Sequence, residues 1–200
     1  MTTLIAPALI ISECQRGMLE PPAGALASLA DQARERAIIA GIAELAREFR
    51  ARSLPVVHCT IVHRADQKGL LPNSYLGKMA LRDQTMIEGT PDVEIPAELG
   101  PEPTDLVSAR ATGLTAFYGT DLDAMLRLQR VQTLILCGLS TNVALPGLAM
   151  DAVNRGYDVL LAEDCTAGTT TDHHAYMVQN VLAPLARITR AADVVDRLPE

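Results

Sequence analysis

Aromatic side chains are scarce: the chain has no tryptophan, two phenylalanines and four tyrosines. Surfaces that stack nucleobases need such rings beside cations, and clustered cations are missing too. Lys68 and Lys78 are the lysines, the arginines are scattered, and the net charge is −7. Phosphate binding rests on clustered Lys and Arg, so nucleic acid is excluded as the main partner. Cys14, Cys59, Cys137 and Cys165 form no Cys-x-x-Cys pair. Each lies beside an apolar run, the setting of a reduced, buried thiol. The leading stretch MTTLIAPALIISE has no basic n-region or small-residue cleavage site, and its short apolar run ends at Glu13. No membrane span and no export are expected, and the expected location is cytoplasmic. Internal repeats and low-complexity segments are also lacking.

Core-forming residues are plentiful. Across 200 residues, 48% are hydrophobic and 20% charged, which supports a packed core and argues against disorder. One domain over residues 1–200 is expected. Short β-branched runs alternate with segments of helical period. Strands are predicted at Ala6–Ile11, Leu54–Val62, Asp105–Ala109, Gln132–Cys137 and Tyr157–Ala162, with a last one at Arg187–Thr189. Helices are predicted at Ala30–Arg52, Asp121–Arg130 with Thr120 as cap, from about Thr141–Val143 to Arg155, and Asp172–Ala186. Between them, residues 63–104 are broken by Gly and Pro and read as a pocket wall or lid. Near-continuous apolar strands joined through helices imply right-handed crossovers and a mostly parallel six-stranded sheet in an α/β/α sandwich. Ligands bind such sheets beyond the carboxyl ends of the strands.

Glu13 stands at the first of those ends. A carboxylate there either accepts backbone N–H bonds to tie the loop or, desolvated, serves as an acid or base. After the apolar strand, GLSTNVALPG reads as a helix start whose free N–H groups can hold an oxyanion, or simply as a good cap. His63 and Asp66 lie in one loop without a second His, so loop packing is expected and no metal. His173 and His174 read as a solvated helix terminus.

ALIISECQRGM, TGLTAFYGTDLDAMLR, CGLSTNVALPGLAMDAVNRGY and LLAEDCTAG, with MIEGTPDVEIPAEL, resemble the landmark segments of the isochorismatase-like (cysteine hydrolase) superfamily. That resemblance implies a three-layer α/β/α fold, a homodimer or homotetramer, a small-molecule substrate and no cofactor. Most such proteins use an Asp–Lys–Cys triad on small amides, and one branch hydrolyses a vinyl ether with the acid alone. Here Glu13 matches the Asp of a D-x-Q motif, and Gln15 its Gln. Ala144 matches the Cys of G-x-x-T-x-x-C, and Ala111 matches the Lys, with Arg110 one residue earlier. Glu13 as proton donor or acceptor and Arg110 as the cation holding an anionic substrate or developing charge are therefore the expected catalytic pair. Gln15, Phe117, Leu139, Ser140, Asn142, Val143 and Ala144 are the expected binding residues, with a cis peptide at Leu139–Ser140 shaping the oxygen site. Phe117 is read as a pocket wall, against a plain core ring. The expected activity is acid/base hydrolysis without a thiolate, best suited to a vinyl ether. A pseudoenzyme that binds a ligand or assembles with partners, and an amidase using Cys14 or Cys137, are the alternatives.

Overall fold

The structure is a computed structural model that describes residues 2–21 and 26–200. Six strands make one sheet in the order β3-β2-β1-β4-β5-β6: β1 Pro7–Ser12, β2 Val56–Ile61, β3 Leu106–Arg110, β4 Thr133–Leu139, β5 Asp158–Ala167 and β6 Arg187–Thr189. Every pairing is parallel, so the sheet is fully rather than mostly parallel. β1 and β4 are buried along their whole length because each of their faces is covered. Leu9, Ile11, Ile135 and Cys137 join the cluster that also holds Met18 of α1 (Arg16–Leu19) and lies under α2 (Ala27–Glu35), α3 (Ile38–Ala51) and α8 (Ala191–Val195). Ala8, Ile10, Leu134 and Leu136 join the opposite cluster, beneath α5 (Leu122–Leu128) and α6 (Ala144–Asn154). The alternation follows from the two-residue period of a strand.

Several boundaries differ from the expected ones. The predicted helix 30–52 is two helices, broken where Ala37 takes a left-handed φ of 52°. Residues 63–104 contain α4 (Tyr75–Asp83), capped by the Ser74 side chain accepting from the Gly77 N–H. β5 runs on to Ala167, five residues past the expected end at Ala162. The predicted helix 172–186 is α7 (Thr171–Met177) followed by a wider π turn over Val178–Leu182. α6 starts at Ala144, with Gly156 at φ 84° just past its end. Among the described residues, no helix is long and apolar enough to cross a membrane.

Chain order reverses between β1 and β4, which are adjacent although β2 and β3 intervene in sequence. The crevice beyond their carboxyl ends is where such a sheet places a ligand.

Candidate functional site

Glu13 and the 139–144 turn flank that crevice. The Glu13 N–H donates to the Cys59 carbonyl, and its φ of 53° turns the chain off the end of β1. Arg110 ends β3, two strands away, and its length spans the gap: Nη2 donates to Glu13 Oε1 at 2.7 Å. Nη1 donates to the Gly113 carbonyl at 2.7 Å. Both side chains are about nine-tenths buried. Burial pushes the Glu13 carboxyl above its ordinary value and outweighs the Arg110 charge and hydrogen bond that pull it down. A carboxyl so placed holds its proton longer than a solvated one.

The pair borders a two-lobed cavity of about 100 and 210 Å³. Met18, Leu26, Leu76, Met79 and Leu114 wall both lobes, so α4 closes the crevice, as expected of the 63–104 excursion. Ser140, Asn142, Val143 and Ala144 complete the larger lobe. The peptide between Leu139 and Ser140 is cis. Val143 and Ala144 sit at the start of α6, where no intrahelical carbonyl faces their N–H groups.

The turn is held from behind. His174, nearly fully buried, sets Nε2 2.8 Å from Glu163 Oε1 and Nδ1 3.2 Å from Thr141 Oγ1. Glu163 is also paired with Arg36. Burial alone would raise Glu163, but His174 and Arg36 hold it below the usual range. Asn142 Oδ1 accepts from the Thr169 N–H at 2.9 Å, and its amide nitrogen lies 2.8 Å from His173 Nδ1. His174 is therefore a buried brace, not the solvated terminus expected of it.

Three expected binding residues stand elsewhere. Gln15 is fully buried and clamps the end of β2: Oε1 accepts from the Ile61 N–H, while Nε2 donates to the Ile61 and Val93 carbonyls. The Leu139 side chain is buried in the core. Phe117 is a core ring, stacked 6.2 Å from Tyr157 and covered by the Arg155 guanidinium at 4.5 Å. The scarcity of aromatics carried no information about which way that ring points. Arg110 faces inward, with one N–H of each terminal nitrogen committed, to Glu13 and to the Gly113 carbonyl.

His63 lines the smaller lobe beside Glu13 and Arg110, with Nδ1 3.1 Å from the Ala111 carbonyl. Burial and the nearby Arg110 charge lower its pKa, outweighing the hydrogen bond to Ala111. Its position just past β2 was the available signal. Asp66, by contrast, turns outward to a bidentate pair with Arg64.

None of the four cysteines lines either lobe. All are buried. Burial pushes Cys14, Cys59 and Cys165 up to about 12, and Cys137 well above its ordinary value.

Residues 7–193 match the isochorismatase domain. The chain is 29% identical over 194 residues to the uncharacterized isochorismatase family protein YecD of Escherichia coli, covering 96% of this chain and 95% of that protein. It is 25% identical over 196 residues to a maleamate amidohydrolase of Pseudomonas putida, covering 96% and 86% of the two chains. An isochorismatase family protein from Desulfovibrio vulgaris superimposes with a TM-score of 0.82 at 26% identity, covering 96% and 97%.

Proposed function

Since the chain belongs to the isochorismatase family, we propose that it hydrolyses a small metabolite with water as the nucleophile and Glu13 as the proton-transfer group, without a covalent thioester. The observation that carries this is the buried Glu13 carboxyl, its proton affinity raised, on a cavity where the helix start presents the Ala144 methyl. An alanine side chain has no lone pair, and the four thiols are buried, protonated and outside the cavity lining. Proton transfer by a positioned side chain contributes roughly 10²–10⁴-fold.

Vinyl-ether hydrolysis fits this equipment best. Glu13 delivers a proton to the terminal alkene carbon, and water adds to the resulting oxocarbenium carbon. The hemiketal then collapses to a carbonyl compound and an alcohol, and the proton lost by the added water returns to Glu13. The N–H groups of Val143 and Ala144 would hold a substrate oxygen, and Arg110 would keep the carboxyl aimed. The amidohydrolase among its relatives supports a second reading, in which the same oxygen site polarises an amide carbonyl and ionised Glu13 activates the water.

The test is turnover of a panel of small vinyl ethers and primary amides, followed by mass spectrometry, before and after iodoacetamide treatment of the native protein. Turnover should survive alkylation and fall at least about 100-fold in Glu13→Gln. Loss on alkylation would make it a thiol enzyme. Ligand binding without turnover, unchanged by Glu13→Gln, would make it a binding protein that has lost the chemistry.

A further inference from the structure

We infer that His63 determines specificity: it presents a bare ring nitrogen to the smaller lobe, so the ligand arm taken there carries an N–H or O–H group among apolar atoms. This rests on the cavity being the reaction site proposed above. His63 directly follows β2 and is pinned by its backbone. Its N–H donates to the Met86 carbonyl and its own carbonyl accepts from the Glu88 N–H, each at 2.8 Å. The residue is 5% exposed. Nδ1 lies 3.1 Å from the Ala111 carbonyl. A carbonyl oxygen only accepts, so the proton of the neutral ring sits on Nδ1 and the lone pair is left at Nε2. Burial, and then the Arg110 charge, keep the ring neutral. Nε2 has no hydrogen-bond partner among the described residues. Nor is it one of the sealed, unpaired polar atoms of the interior, so it opens onto the lobe that the ring lines.

Around that lone pair the lobe is mostly apolar, walled by Met18, Ile61, Leu70, Met79 and Met86. Glu13 and Arg110 stand at one side, paired to each other at 2.7 Å, and every N–H of Arg110 can only donate. Thr85, the remaining polar side chain of the lining, is part-exposed. The start of α6, in the larger lobe, also donates. An arm that fills the smaller lobe with C–H groups alone strips Nε2 of water and leaves it unpaired, at a cost in affinity. An arm with an N–H or O–H restores the bond. The lobe, at about 100 Å³, suits a short arm, since an apolar cavity of about 150 Å³ holds one benzene. The ligand class is therefore a small molecule with an oxygen for the Val143 and Ala144 N–H groups and a hydroxyl, amide or ring N–H for His63.

Pyrrole and furan test this, being small rings of similar shape of which pyrrole alone carries an N–H. In protein-observed NMR titrations of the full-length protein at neutral pH, pyrrole should bind at least about fivefold tighter than furan. Desolvation of the N–H by itself would favour furan. His63→Phe should abolish the preference, and Thr85→Val should keep it. The ring-nitrogen resonances of the free wild type should show Nδ1 protonated and Nε2 bare, and pyrrole should move the Nε2 signal. Equal or tighter binding of furan overturns the inference. So does a ring protonated at Nε2, a preference that survives in a folded His63→Phe protein, or failure of both probes to bind at millimolar concentration. If the variant does not fold, the wild-type ratio and the ring signals decide. Because only binding is read, a protein that prefers pyrrole but turns nothing over keeps this role for His63 and loses the reaction proposed above. One that turns over the earlier panel without preferring pyrrole keeps the reaction and loses this role.

Discussion

At the scale of single residues, Ala144 is where the proposed reaction departs from thiol chemistry. Its methyl lines the larger lobe at the first position of α6, the place where a helix N-terminus and a nearby guanidinium lower a thiol pKa. The native cysteines lack that setting and are buried in protonated form. Native protein treated with iodoacetamide at neutral pH should therefore stay unlabelled over minutes, while Ala144→Cys takes up one equivalent, counted by intact-mass spectrometry. Rapid labelling of the wild type at Cys14 would revive the thiol mechanism. Glu13 and Ala144 could be found in the sequence because each directly follows a strand, and strand ends are where an α/β sheet works. His63 met the same criterion, but a lone His gives no direction for its ring. The directions of Phe117 and Gln15 were illegible for a similar reason: the side-chain direction in a turn depends on backbone angles that spacing alone does not specify.

At the scale of elements, the approach of β1 to β4 sets the site, and Gly138 permits it. It pairs with Ser12 and has a φ of 94°. A Cβ added there would lie 2.3 Å from the Ser12 carbonyl oxygen and 2.9 Å from its nitrogen. Both are backbone atoms in a central strand and cannot swing aside. Gly138→Ala should thus destabilise the protein by about 3 kcal/mol or more, from the strained φ and the overlap together. Urea denaturation would show this as a lower midpoint; a loss below about 1 kcal/mol would mean that the strands part easily. The sequence showed that a strand ended near Gly138 but not this contact, which joins residues far apart in the chain. The break at Ala37 was hidden because no glycine or proline marks it in the sequence. α4 was hidden because its apolar stripe, Leu76, Met79 and Ala80, is short and lies in a stretch punctuated by Gly and Pro.

Across the whole molecule, the alternation of apolar strands with helical segments was enough to indicate a parallel sheet covered on both faces, whereas charge pairing depended on which strand ends meet. That pairing governs the response to acid. His58, His63 and His174 are buried, and burial lowers each below its ordinary 6.5. Just below that pH, the unfolded chain binds up to three protons that the native state refuses, so stability falls as pH drops. Glu13 acts in the opposite sense: its native pKa is raised, so between that value and 4.5 the native state holds about one proton more than the unfolded chain. Where the two effects overlap, the net is about two protons, or roughly 2.7 kcal/mol per pH unit. Nearer pH 4, Asp105 and Glu163 add to the loss, because Arg50, His58, Arg36 and His174 hold their carboxyls low despite burial. Unfolding free energies from urea titrations at pH 7.5, 6.5, 5.5 and 4.5 should therefore decline monotonically below 6.5, and His174→Asn should remove up to one proton from the slope. A profile that stays flat or rises toward pH 5 would mean that the three histidines are charged in the native state.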